Sequence, residues 1–300
     1  MPKNNLLQIE LWLDCPNKCS FCCLGEYAHP TTINYKIQTI KKAIEYFHSV
    51  DWKKYNEFAI IGGELFSTKF TDSLKNTFNT FLNEIILQIK KGNIKKFYIM
   101  TSLIFSNDYF FEILNLFKKE NIQDYIMINT SFDTKYRFDS NKKKTFYNNV
   151  KSIKELDFPI HFEIILSDFF LDSYINKDPE LYEILDNYIV DLLRPTIPWK
   201  GNKSDIPIDF FPKREKFLKF LPLLKKQHPH IHEKLLSMDT RAENIYTTIN
   251  NKIIERDKEN YIDAKDHTLS ECGHDSLYKC YSNSDKCIIC DIKKFNEIKC

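Results

Sequence analysis

Three cysteines, Cys15, Cys19 and Cys22, stand in the run Asp14-Cys15-Pro16-Asn17-Lys18-Cys19-Ser20-Phe21-Cys22. Thiolates ligate the irons of iron–sulfur clusters, and a closed [4Fe–4S] cubane takes four of them. A C-x3-C-x2-C triplet therefore serves three irons and leaves the fourth open to a small molecule. Further along, Gly62-Gly63-Glu64 follows the apolar run Phe58-Ala59-Ile60-Ile61. Two adjacent glycines let backbone approach a ligand closely, and a carboxylate accepts well from an ammonium.

A second group of cysteines lies at the other end: Cys272, Cys280, Cys287, Cys290 and, at the last position, Cys300. Cys287-Ile288-Ile289-Cys290 is a C-x2-C pair, which brings two sulfurs onto one metal in a tight turn. Four thiolates there suit either an iron–sulfur cluster or a structural zinc, with His267, His274 and Cys300 as substitutes. All nine cysteines fall within 15–23 or 272–300. Such clustering, with no basic-then-apolar leader before Leu6, indicates metal or redox chemistry rather than disulfides. Cys23 is expected to be a small buried side chain rather than a fourth ligand. His228-Pro229-His230-Ile231-His232 has a proline inside it and no neighbouring cysteine, so an exposed loop is expected. Lys142-Lys143-Lys144 reads as a solvated helix start.

The elements that must hold these groups come from apolar periodicity. Strands are expected at Leu7–Leu13, Phe58–Ile61, Phe97–Met100, Tyr125–Asn129, Ile160–Leu166 and Ile189–Leu193. Helices fall between them: one with Ile37, Ile40, Ile44 and Phe47, one from Leu74 to Ile89, then 108–120, 144–156 and Leu181–Tyr188. Repeated β–α units build a parallel sheet covered by helices, and sites in such folds gather at the C-terminal ends of strands. The cysteine loop, Gly62–Glu64, Thr101-Ser102, Ser131–Asp133 and Arg194 all fall at those ends. After Pro195 the texture changes to a proline-punctuated stretch, then a helix near 213–227 bent at Pro222. The division expected is 1–195 for the sheet and 196–300 for an extension with a helix and a cysteine-rich tail.

The cysteine spacing resembles the signature of the radical S-adenosylmethionine (SAM) enzymes, and Gly62-Gly63-Glu64 resembles their GGE segment. The resemblance implies a partial (β/α)6 TIM-like barrel, an α/β fold, over roughly two thirds of the chain. It implies Cys15, Cys19 and Cys22 as ligands of a [4Fe–4S] cluster whose open iron binds the methionine part of SAM. Phe21 then matches the aromatic position near the adenine, and Glu64 the acceptor for the SAM amino group. Thr101-Ser102-Leu103 stands where relatives carry a Thr-Asn-Gly type segment, with serine and leucine replacing asparagine and glycine. Ser131 and Asp133 suit the ribose hydroxyls or cap the following turn. Glu163 in an apolar strand is placed to meet SAM or substrate, and Arg194 a carboxylate or a surface partner. The tail resembles a truncated auxiliary-cluster domain.

The expected activity is reductive cleavage of SAM, with the 5′-deoxyadenosyl radical taking hydrogen from a substrate. A peptide or protein substrate is suggested by the tail, and a nucleoside or other small molecule by a first strand that starts the chain. A flavodoxin or ferredoxin is the implied reductant. The alternative from another class is a non-enzymatic zinc protein binding nucleic acid. A formal charge of +2, from 43 basic and 41 acidic residues, gives no global field for nucleic acid or membrane. No apolar run reaches membrane-spanning length, so a cytoplasmic protein is expected.

Overall fold

The computed structural model describes residues 6–19, 22, 30–133, 135, 137–193, 214–237, 245–249 and 252–256. Its centre is an open sheet of eight strands in the order β6-β5-β4-β3-β2-β1-β7-β8. β1 (Leu6–Glu10), β2 (Glu57–Ile61), β3 (Lys96–Met100), β4 (Ile126–Phe132), β5 (Ile160–Ile165) and β6 (Ile189–Leu193) are the six expected strands, all parallel. Helices α1 (Ile33–Ser49), α2 (Asp72–Lys90), α3 (Tyr109–Lys119) and α4 (Ser140–Glu155) join the first five. The result is an α/β fold, a partial TIM-like barrel whose sheet does not close.

Each strand presents alternating faces. Phe58, Ile60, Phe97, Ile99, Phe162 and Ile164 are buried against the helices. The register puts Tyr98, Met100, Asn129, His161, Glu163 and Asp191 on the opposite, inner face. That face is polar on β4–β6, so one side of the sheet builds the core and the other is left for chemistry.

Three expectations need correction, and two later strands add to the sheet. β1 ends at Glu10 rather than Leu13, because residues 11–14 leave the ladder to follow the loop after β2. The link between β5 and β6 holds two helices, α5 (Asp168–Ile175), capped by Ser167, and α6 (Pro179–Asn187), capped by Asp178. β7 (Ile245–Ile249) pairs parallel to β1, and β8 (Lys252–Arg256) antiparallel to β7, so late residues extend the sheet. The histidine run is no exposed loop. It opens α8 (Pro229–Ser237), with Pro229 in the first turn, where a missing N–H costs nothing.

His228 is 4% exposed, its Nδ1 2.7 Å from Tyr174 Oη and its Nε2 3.0 Å from Asp186 Oδ1. α7 (Arg214–Gln227) runs through Pro222 and packs Phe220 on Phe170 and Tyr174. α8 then lies along β6, covering an edge that would otherwise expose unpaired backbone. Among the described residues no helix is long and apolar enough to cross a membrane.

Candidate active site

The cysteine loop begins where backbone 11–14 is stitched to the loop after β2. Leu11 N–H donates to Ile61 O (3.0 Å), Gly63 N–H to Trp12 O (2.8 Å) and Glu64 N–H to Asp14 O (2.9 Å). This approach requires both glycines. A Cβ on Gly62 would lie 2.4 Å from Trp12 O, and one on Gly63 2.3 Å from Asp14 O. Gly62-Gly63 therefore seats the base of the cysteine loop.

Glu64 is fully buried. It accepts from Phe66 N–H (3.1 Å), Thr101 Oγ1 (3.0 Å to each oxygen), Ser102 N–H (2.5 Å) and the Ser102 hydroxyl. Burial pushes its carboxyl above the ordinary glutamate range, against the pull of those hydrogen bonds. Asn17, between the first two cysteines, donates from Nδ2 to Ser102 Oγ (2.8 Å), and Lys142 Nζ donates to Asn17 O (3.0 Å). The cysteine loop, the Gly-Gly-Glu turn and the end of β3 thus form one hydrogen-bonded unit.

Lys36, in the first turn of α1 and only 2% exposed, closes the loop from its far end. Its Nζ donates to Asp14 Oδ2 (2.6 Å) and Thr68 Oγ1 (2.8 Å) and lies 5.4 Å from the centre of the Trp12 ring. The residue before Cys15 and the helix after the loop are therefore clasped together.

Cys15, Cys19 and Cys22 are all half-buried, and Cys22 N–H donates to Cys19 O (3.1 Å). The Cys15 thiol is pushed up to about 11. Burial is the main cause, the Asn17 backbone pulls it down, and Glu64, Cys19 and Cys22 push it further up. A Cys15 thiol held protonated in this way gives up its proton when a cation takes its place. This donor set fits an iron–sulfur cluster, in which each cysteine ligates a different iron. Among the described residues no three His, Cys, Asp or Glu side chains gather closely enough to hold one metal ion.

The other expected site residues are dispersed. Ser131 is the next-to-last residue of β4, its carbonyl accepting from Arg137 Nη1 (2.9 Å). Asp133 is buried, and its Oδ1 accepts from Lys135 N–H (3.0 Å), a turn-capping bond. Glu163 lies on the inner face, accepting from Asn129 Nδ2 (3.3 Å). Phe21, Cys23, Arg194 and the five cysteines from Cys272 to Cys300 lie outside the described residues.

Asn17, Lys36, Asn129, His161 and Asp191 were not singled out from the sequence. Lys36 had a signal, since it falls on the apolar stripe of Ile33, Ile37 and Ile40, where a solvated lysine does not belong. His161, Glu163 and Asp191 were legible only as polar breaks in apolar strands.

No family model matches the sequence, and no curated protein matches it. Solved structures do. The structure of anSMEcpe with bound AdoMet and Cp18Cys peptide aligns over 93% of this chain and 81% of its own, at 12% identity and a TM-score of 0.55. Against histidine-tagged anSMEcpe with bound AdoMet the figures are 74%, 59%, 14% and 0.48, so the chain spans about three fifths of that structure's length. Coproporphyrinogen III oxidase (HemN) from Escherichia coli, described as a radical SAM enzyme, aligns at 10% identity over 76% of this chain and 53% of its own, with a TM-score of 0.47. At such identities the likeness is one of architecture: the chain shares the open parallel α/β barrel fold of the peptide-bound structure.

Proposed function

We propose that this chain is a radical SAM enzyme. Cys15, Cys19 and Cys22 would hold a [4Fe–4S] cluster, with SAM on its open iron against Gly62–Glu64. The observation that carries the reading is the joining of the cysteine loop to Gly62–Glu64 and Thr101-Ser102 at the C-terminal ends of β1, β2 and β3. When bound, cluster and SAM supply reductive cleavage to methionine and a 5′-deoxyadenosyl radical able to take hydrogen from unactivated carbon. This chain's residues seat the loop, bury Glu64 and wall the inner face of the sheet. A SAM ammonium reaching Glu64 would compete with the Thr101 and Ser102 hydroxyl donors, which are themselves held by Leu103 N–H, Ile104 N–H and Asn17 Nδ2.

A peptide or protein is the substrate class we favour, because the matching fold at a TM-score of 0.55 is one solved with peptide bound. A flavodoxin or ferredoxin would deliver the electron. Cys272, Cys280, Cys287 and Cys290 would hold a second site, an auxiliary cluster or zinc, by their spacing alone.

Anaerobic reconstitution with iron and sulfide, followed by dithionite and SAM, tests the reading through 5′-deoxyadenosine formation. Changing Cys15, Cys19 and Cys22 together to alanine should remove about four irons per chain and all SAM cleavage. Wild-type protein that binds no iron, or binds it and leaves SAM intact, would overturn the reading. In Cys287→Ala/Cys290→Ala, loss of further iron marks an auxiliary cluster, and loss of zinc a structural site.

A further inference from the structure

The inner face of β4–β6 carries acceptors without matching donors. Asn129 is 5% exposed, and its side chain Oδ1 has no hydrogen-bond partner while Nδ2 donates to Glu163 Oε1 at 3.3 Å. The amide orientation is fixed by that contact, because turning it over would set its oxygen against the carboxylate. Glu163 accepts no other hydrogen bond among the described residues than this long one. Register puts His161 beside Asn129 and Asp191 beside Glu163. Asp191 is already engaged, by His161 Nε2 (3.1 Å) and by Lys234 of α8. Those contacts fall on Asp191, so His161 and Lys234 act on Glu163 only through their field and give neither it nor the Asn129 oxygen a hydrogen bond.

A half-buried carboxylate held by one long hydrogen bond and a buried amide oxygen with no donor cost free energy unless a ligand supplies the missing hydrogens. We propose that Asn129 and Glu163 form a receptor for a protonated nitrogen of the substrate, an ammonium or guanidinium such as a lysine or arginine side chain presents. A neutral hydroxyl offers one hydrogen, whereas an ammonium or guanidinium offers several and a full charge. Asn129 lies three residues below the end of β4, its carbonyl accepting from Thr101 N–H (2.9 Å), and Glu163 lies two below the end of β5, one strand further from the cysteine loop. That offset sets Glu163 apart from the clustered motifs and favours substrate as its occupant. Burial pushes the Glu163 carboxyl upward, a shift that a bound cation would oppose.

The proposal rests on the radical SAM reading only in calling the occupant substrate, so the test measures binding without turnover. The full chain is titrated with n-butylammonium, methylguanidinium and 1-butanol by saturation-transfer NMR, and separately with SAM after reconstitution. The two cations should bind at least five-fold more tightly than 1-butanol, and Glu163→Gln should abolish that preference while leaving SAM affinity within two-fold. Asn129→Leu, which keeps the carboxylate, should weaken the cations and not the alcohol. Equal binding of butanol and butylammonium would overturn the proposal. So would a Glu163→Gln protein that loses SAM in step with the cations, which would give the site to the nucleoside. Failure to assemble a cluster would sink the enzymatic reading and leave the cation measurement standing.

Discussion

Lys36 is the residue whose chemistry is most dependent on its surroundings. A buried ammonium is tolerated only with a partner, and removing one member of a buried pair strands the other. Lys36→Met should therefore destabilise the apo chain by about 3 kcal/mol in urea unfolding and lower iron retention during desalting. Asp14→Leu/Lys36→Met should recover much of the loss, because no charge is left unpaired. Leu103 makes a different compromise. It has φ 57° and is fully buried, so a side chain in left-handed backbone is kept for its packing. A non-glycine residue there costs about 1–2 kcal/mol, against about 2–5 kcal/mol for truncating a core leucine. Leu103→Gly should then destabilise by about 2 kcal/mol, less than glycine would cost at Leu82, and chemical denaturation of both variants reads the difference.

Elements were legible where periodicity was long and uninterrupted. α2 sets Leu74, Phe78, Phe81, Leu82, Ile85 and Ile89 on one buried stripe, and no competing pattern exists there. α5 was missed because Asp168-Phe169-Phe170-Leu171 is too short and apolar to show a helical period. Only Ser167, a cap seen in hindsight, marks its start. The cysteine triplet and Gly-Gly-Glu were readable because each is a local string. The Asn17–Ser102–Glu64 connection was not, since its members are brought together only by strand order. α8 shows the same limit: its docking depends on His228 meeting Tyr174 and Asp186. His228→Ala should cost about 2 kcal/mol through the stranded Tyr174 hydroxyl. It should speed amide exchange across 229–237 while leaving β1–β3 protected.

At the scale of the whole molecule, the inner face sets how stability follows pH. Glu163 has its carboxyl raised by burial and by Asp191, with His161, Asn129 and Lys234 pulling the other way. A raised carboxylate weakens the fold above its folded-state value and is harmless once both states are protonated. Asp191 is the opposite: burial pushes it up, but His161 and Lys234 outweigh that and hold it low. Its contribution is present above the unfolded value near about 4 and is lost as pH falls through its lowered folded value. Glu163→Gln should accordingly raise Tm at pH 7.5 by about 2–4 °C, with the gain fading towards pH 4, whereas Asp191→Asn should lower Tm at pH 7.5. Melting curves of both variants across that range separate the two signs.

β1 has neighbours on both sides, β2 and β7, even though it comes first in the chain. A flanked strand opens only with its whole sheet. If the proposed cluster is held there, its oxidative loss would strip the loop and spare its foundation, so an air-exposed sample should remain folded and open to refilling with fresh iron and sulfide.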